Sequence, residues 1–445
     1  MRLGTMFFYS LILTLGFVLM LPLLILRREK YASGFRERLG DHPRFEQDGR
    51  PVIWLHCVSV GETNAARPLV DGLLENFPDH RLIVSTTTKT GRELARTIFK
   101  DKADAVIYFP FDWKFSVRKA LDHYKPSVVL LMETEIWPRF IREAKLSGAK
   151  IAIVNGRLSA SSASRYAKVS SFVKKVLADI DLALMQNEKD AERSVSLGID
   201  AAKVKVTGNL KFDQSVDDIE NEMTDDLRKR FAIDGMRLLI VAASTHAPEE
   251  QWILESLDGM EDDFRLLIAP RHPERFDEVA KLLDNANRTY VRRSRPRMES
   301  DRNAKIILLD SVGELRAVYP LADIVFVGGS LIPHGGQSVL EPAAAGKAMI
   351  TGPYTHNFDA VVKDFTVRDA LIQTPKVSDN FQNADRLYEE FTVLLSDPAR
   401  RRALGENARN AMAANRGATL KTINELRKLF HVPDAAAAET LRSDR

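Results

Sequence analysis

Cysteine is nearly absent: Cys57 is the single one in 445 residues. One thiol excludes an internal disulfide and any multi-cysteine metal site. Net charge is also small, since 64 basic and 61 acidic side chains leave +3. That balance gives no general footing for nucleic-acid binding. Two phosphate-binding fingerprints are missing as well. No Gly-x-Gly-x-x-Gly and no Gly-x-x-x-x-Gly-Lys-[Ser/Thr] follows the first apolar run of either half, which argues against nicotinamide and P-loop chemistry. What remains is ordinary globular composition, 45% hydrophobic and 28% charged, at a length that fits two domains.

The N-terminus carries one long apolar run. Residues 6–26 read MFFYSLILTLGFVLMLPLLIL, 21 positions without a charge. As a helix they would measure about 30 Å, the thickness of a bilayer core. Arg27, Arg28, Lys30, Arg36 and Arg38 follow, against Arg2 before the run. The positive-inside rule then predicts a single transmembrane anchor with the body in the cytoplasm. A cleaved signal peptide fits poorly, because the core is too long and no small-residue cleavage site follows. The arginines of Gly34–Gly40 read either as contacts to anionic headgroups or as plain juxtamembrane charge. Tyr166–Leu177 reads as a membrane-resting or an ordinary surface helix.

Beyond residue 50, short Val/Ile/Leu-rich runs alternate with amphipathic stretches. The runs are 52–59, 82–87, 105–109, 127–132, 151–155, 182–186 and 204–208. After a charged stretch at 213–231 the pattern resumes at 238–243, 266–269, 306–310, 324–329 and 348–352. Continuous apolar strands alternating with helices predict parallel sheets covered on both faces. The expected division is an anchor at 1–30, two Rossmann-like domains at 31–220 and 221–430 facing a cleft, and a tail at 431–445. Ligands of such sheets bind beyond the carboxyl ends of the strands.

Polar clusters follow several strands. In Ser59-Val60-Gly61-Glu62, Glu62 at a helix start reads as a cap or as a general base. Met132-Glu133-Thr134-Glu135-Ile136-Trp137 sets two carboxylates at the end of a buried strand, Glu133 nearer the cleft and Glu135 as a candidate cap. Lys211 in Gly208–Asp213 offers a cation or is a solvated lysine. In the second half, Pro270-Arg271-His272 brings a planar cation for phosphate or carboxylate. His246 and His272 alone do not make the three-ligand set of a metal site. The Gly328-Gly329 and Gly335-Gly336 pairs suggest backbone approaching a phosphate. Ser338 and Glu341 read as a capping box or as contacts to a sugar hydroxyl.

Taken together, GFRERLG (34–40), SVGE (59–62), METEIWP (132–138), NGRLS (155–159), GNLKFD (208–213), APRHPERF (269–276), SVGEL (311–315) and GGQSVLEPAAAGKAMITGPYTHNF (335–358) resemble the bacterial 3-deoxy-D-manno-octulosonic acid (Kdo) transferases of lipopolysaccharide assembly. The resemblance covers nearly the whole chain. It implies a GT-B fold, no cofactor and no catalytic metal. It also implies inverting transfer of Kdo from CMP-Kdo to a lipid A precursor, the tetraacyl disaccharide bisphosphate, at the cytoplasmic face of the inner membrane. The resemblance makes Glu62 the general base, with Glu133 and Lys211 supporting the transition state. It places CMP on Pro270 and Arg271, on Gly313, Glu314 and Leu315, and on Ser338, Val339, Leu340 and Glu341. Many relatives read His-Asn-Pro where this chain has Gln337-Ser338-Val339, so the contact at Ser338 falls to a hydroxyl or to the backbone. The rivals to this reading are another GT-B enzyme using a UDP-sugar and a membrane-tethered nucleotide-binding scaffold.

Overall fold

The computed structural model describes residues 3–26, 33–133, 135–213, 222–260, 263–379 and 382–430. The expected tail at 431–445 lies outside them, as does Thr134. The chain forms two compact units, Met1–Ser215 with Asn415–Arg445, and Val216–Ala414.

The first unit is built on seven strands: β1 (Val52–His56), β2 (Arg81–Thr86), β3 (Ala105–Tyr108), β4 (Pro126–Met132), β5 (Lys150–Gly156), β6 (Leu182–Met185) and β7 (Val204–Val206). Their order is β3-β2-β1-β4-β5-β6-β7, with every pair parallel. Alternating side chains fill both faces, as a doubly covered parallel sheet requires. On one face Trp54, Val129, Leu131 and Ile151 enter a core; on the other Ile53, Leu55, Val128 and Leu130 enter a second. Strand order reverses between β1 and β4, so the loops after these strands diverge and leave a crevice at their carboxyl ends. Ser59–Glu62 and Glu133 lie there.

The second unit repeats the plan with β8 (Leu238–Thr245), β9 (Phe264–Pro270), β10 (Tyr290–Arg292), β11 (Ile306–Leu308), β12 (Ile324–Val327), β13 (Ala348–Thr351) and β14 (Ile372–Gln373). The order is β10-β11-β9-β8-β12-β13-β14, again all parallel. The reversal falls between β8 and β12.

The structure departs from the sequence expectation at the C-terminus. The helix Ala418–Leu429 belongs to the first unit, not to the second half. Its Ala418, Ile423 and Leu426 are buried in the core that holds Leu69, Val70 and Leu73. The carboxylate of Asp213 receives the N–H groups of Gly417 (2.7 Å) and Thr419 at the helix start.

A 24-residue helix, Leu3–Leu26, opens the chain. Arg139 donates to the Met6 carbonyl and to Ser10 Oγ, both at 2.9 Å. The Tyr9 hydroxyl donates to Asp112 at 2.6 Å, and Trp113 Nε1 to Thr14 Oγ1 at 3.1 Å. Phe17 packs on Phe35, Phe111 and Trp113. These contacts recur every three to four residues, on one helical face. Phe8, Ile12, Leu15 and Leu19 are exposed. Among the described residues no helix is long and apolar enough to cross a membrane. Two neighbouring stretches each turn part of their side chains inward, while Arg36 of the first is exposed beside Asp41 at 2.8 Å. Arg38 is buried and donates to the Thr87 carbonyl, so it is not a headgroup contact. Val173, Val176 and Leu177 of the stretch 166–177 belong to the core.

Candidate active site

In the first unit the site begins with a helix cap. Ser59, in extended conformation, starts the helix Val60–Ala65, and its Oγ lies 3.5 Å from the Glu62 N–H. The Glu62 carboxylate turns back over the cap. The Val58 N–H donates to Oε2 at 2.8 Å, and Ser59 Oγ to Oε1 at 3.4 Å. The capping geometry of Glu62 is therefore present, and it leaves the carboxylate held by one backbone N–H and one long hydroxyl contact. Glu62 is 7% exposed. Burial first, and then the nearby Glu133 charge, push its pKa up to about 8, against the pull of the Val58 N–H.

Glu133 leaves β4 with φ +54°, a left-handed conformation that non-glycine residues seldom adopt. Its N–H donates to the Val154 carbonyl at 3.0 Å, which anchors the turn. Lys211 Nζ lies 3.4 Å from Glu133 Oε1. Lys211 is itself placed by its neighbours: Asn155 Oδ1 accepts the Leu210 N–H at 3.0 Å, and Asp213 binds the start of the C-terminal helix. The structure thus brings Glu62, Glu133 and Lys211, predicted from three distant motifs, into one electrostatic cluster. Burial and the Glu133 charge also raise Glu135. Glu135 does not cap the next helix: Trp137 holds that position and no side chain caps it.

In the second unit, Pro270 ends β9 and is buried, while the Arg271 side chain is exposed. The Arg271 N–H donates to the Thr245 carbonyl at 3.0 Å. Tyr319, buried and missed by sequence reasoning, feels Glu341 raising its pKa and Arg271 lowering it, beneath a dominant effect of burial. Arg271 and Glu341 therefore both lie near enough to this buried phenol for their charges to act on it. Gly313 has φ +88° with open space where a side chain would start. The Glu314 carboxylate is already held by Arg293 (2.7 and 3.3 Å) and by the Ser311 hydroxyl (2.9 Å). The Glu314 carboxylate is thus taken, which leaves its backbone for any ligand contact. The capping-box reading of Ser338 and Glu341 does not hold. The helix Leu340–Ala344 has Val339 at its N-cap and no side-chain cap, and Ser338 Oγ stands 3.4 Å from the Leu340 N–H.

The first glycine pair is also corrected. A side chain on Gly328 would meet the Ser244 carbonyl oxygen at 2.6 Å, so close packing on β8 requires glycine. The following N–H groups are not free for a phosphate. Gly329 (2.7 Å), Ser330 (2.9 Å) and Leu331 (3.0 Å), together with His246 (3.0 Å), donate to the fully buried carboxylate of Glu249. Sequence reasoning passed over Glu249 because an acidic residue early in a helix ordinarily reads as dipole compensation. It also lacked a third histidine. His334 joins His246 and His272, with one ring nitrogen of each within 4.8 Å of the others.

Residues 33–214 match the family described as 3-deoxy-D-manno-octulosonic-acid transferase (kdotransferase). A 3-deoxy-D-manno-octulosonic acid transferase of Haemophilus influenzae is 34% identical over 427 residues, covering 95% of this chain and 98% of the relative. The chain belongs to the Kdo transferase family. A second family member, from Bordetella pertussis, is 34% identical over 84% of this chain and 86% of its own. The fold extends further than the sequence likeness. The structure of a UDP-GlcNAc 2-epimerase from Neisseria meningitidis matches with a TM-score of 0.58 at 14% identity, covering 85% of this chain and 100% of that one. A glycosyltransferase from Rickettsia africae matches with a TM-score of 0.56, also at 14% identity, over 86% and 100%. Two parallel-sheet α/β units of this kind resemble the GT-B glycosyltransferases, and this Kdo transferase family member is a glycosyltransferase.

Proposed function

We propose that the protein transfers Kdo from CMP-Kdo to a lipid A precursor, with inversion at the anomeric carbon and without a catalytic metal. Membership of the Kdo transferase family gives the reaction class. The observation that carries the residue-level reading is the buried Glu62, with a pKa near 8, beside Glu133 and Lys211.

A carboxyl with that pKa is mostly protonated in the resting site at neutral pH and, once ionised, is a stronger base than an ordinary carboxylate. In this reading Glu62 takes the proton of the acceptor's sugar hydroxyl as its oxygen attacks the anomeric carbon. The bond from that carbon to the CMP phosphate breaks, and CMP leaves with the electron pair. Positive charge grows on the ring carbon, so the transition state resembles an oxocarbenium ion. Lys211 offsets the Glu133 charge, and Glu133 raises the basicity of Glu62. The CMP contacts fall to Pro270, Arg271, the backbone of Gly313, Glu314 and Leu315, and the segment Ser338, Val339, Leu340 and Glu341. Arg271 meets the charge growing on the leaving phosphate, and Glu341 meets the ribose.

The amphipathic acceptor calls for membrane attachment, and we assign it to the N-terminal helix at the cytoplasmic face of the inner membrane. Crossing the bilayer as an anchor is one reading. The contacts of Tyr9, Ser10 and Thr14 with Asp112, Arg139 and Trp113 favour a helix lying along the surface. A crossing helix that kept them would draw ionisable groups into hydrocarbon. A thiol probe at Leu3→Cys, in spheroplasts, separates the two. Labelling from the outer side supports crossing, and labelling only after lysis supports the surface position.

The activity itself is tested with purified protein in detergent, a lipid A precursor and a CMP-Kdo-generating system. The product lipid gains mass in whole Kdo units, and their number counts the additions. Transfer from a UDP-sugar in place of CMP-Kdo would contradict the assignment.

A further inference from the structure

We propose that His246, His272 and His334 form a binding site for a divalent transition-metal cation of the zinc, cobalt and nickel class. The three residues are far apart in sequence and come from three loops at the carboxyl end of the second sheet. His246 follows β8, His272 follows β9, and His334 lies in the loop after β12. One ring nitrogen of each lies within 4.8 Å of the other two. The His246 and His272 rings are nearly perpendicular, with centroids 5.3 Å apart, and the His334 ring lies 4.2 Å from His246.

One hydrogen bond says which nitrogen His246 offers. His246 Nδ1 faces the Ser244 carbonyl oxygen at 3.2 Å, and a carbonyl only accepts. Nδ1 therefore carries the proton, and Nε2 presents a lone pair. That Nε2 is buried and has no hydrogen-bond partner among the described residues. Glu274 Oε1 stands 3.8 Å from His272 Nδ1, too far for a hydrogen bond, so this contact leaves both His272 nitrogens open to the cluster. The packing around His246 is specific too. A side chain on Gly329, at φ +66°, would start 3.3 Å from the imidazole, a tight contact that presses on the ring.

A buried lone pair with no donor fits a cation, whereas an anion would face repulsion from it. Three neutral imidazoles are borderline ligands that suit zinc, cobalt and nickel better than magnesium or calcium. Three protein nitrogens also leave coordination positions open, unlike a closed structural site. A cation bound there ties together the loops after β8, β9 and β12. The inference concerns binding and does not depend on the proposed transfer reaction.

The test uses the full chain in detergent, stripped of metal and titrated with Co2+ while its visible absorption is followed. Zn2+ calorimetry gives the stoichiometry. We expect one equivalent, with cobalt bands that zinc displaces. His272→Ala and His334→Ala, both on the open side of the cluster, should each weaken binding about tenfold or more. His42→Ala, at the separate His42/His123 pair, should leave it unchanged. Cobalt or zinc binding that is absent, or that both loop variants leave intact, overturns the proposal. So does binding of inorganic phosphate, in place of metal, that is lost in those variants. Circular dichroism of each variant separates loss of the site from loss of the fold.

Discussion

Glu62 and Glu249 occupy matching places in the two units. Each follows the central strand beside which strand order reverses, β1 in one and β8 in the other, and each is buried at the start of a helix. Burial raises the pKa of both. Their partners differ. Glu249 accepts four backbone N–H bonds of 2.7–3.0 Å, so its lone pairs are filled by donors that cannot leave. Glu62 accepts one backbone N–H at 2.8 Å and one long hydroxyl bond, and it sits beside a like charge. The first carboxylate fastens the turn after β12 to the turn after β8. The second keeps capacity to exchange a proton. In the proposed reading, the number of fixed donors rather than burial is what separates the structural Glu249 from the base Glu62.

Exchanging the two roles by mutation tests this contrast. The largest effect is expected for Glu62→Gln, which keeps the shape but cannot take a proton. Transfer should fall by about 10²–10⁴-fold, while CMP affinity by calorimetry stays at the wild-type value. Glu249→Ala should do the opposite, acting on stability before chemistry. It leaves buried N–H groups without acceptors, at ~1–3 kcal/mol each before relaxation, so chemical denaturation should show a loss of roughly 3–5 kcal/mol. If Glu249→Ala proved as stable as wild type, the distinction between the two carboxylates would fail.

Smaller effects sharpen the picture of Glu62. Glu133→Gln removes the neighbouring charge, so the pH at which transfer rises should move down, read from rate profiles. Stability gives an independent view. A carboxyl whose folded pKa is about 8, against an ordinary value near 4.5, stabilises the fold most at low pH. That contribution is lost as pH rises through 8. Glu62→Gln has no such dependence, so its melting temperature should gain on wild type between pH 5 and pH 9.

Much of the sheet core was legible because strands buried on both faces must be apolar throughout. The edge strands β10 and β14 were not. They are two or three residues long and only half-buried, so they leave no apolar run. The return of the last helix to the first unit was hidden for another reason: an amphipathic pattern says that Ile423 and Leu426 are buried, not against what. At the site, the clustering of Glu62, Glu133 and Lys211 followed the motifs, because each closes a strand at one end of one sheet. The Gly328-Gly329 pair misled, since a glycine turn that binds a ligand and one fastened by a distant carboxylate look alike in sequence. His334 was missed because only folding brings its loop to His246.

The most direct measurement is the pH dependence of kcat/KM for Kdo transfer by the wild-type enzyme, from pH 5 to pH 9.5, with Glu62→Gln alongside. The account predicts a rate that climbs with pH, with its midpoint near pH 8, and a residual Glu62→Gln rate without that limb. A midpoint near the ordinary carboxylate value, or the same limb surviving in Glu62→Gln, would contradict the assignment of Glu62 as the base.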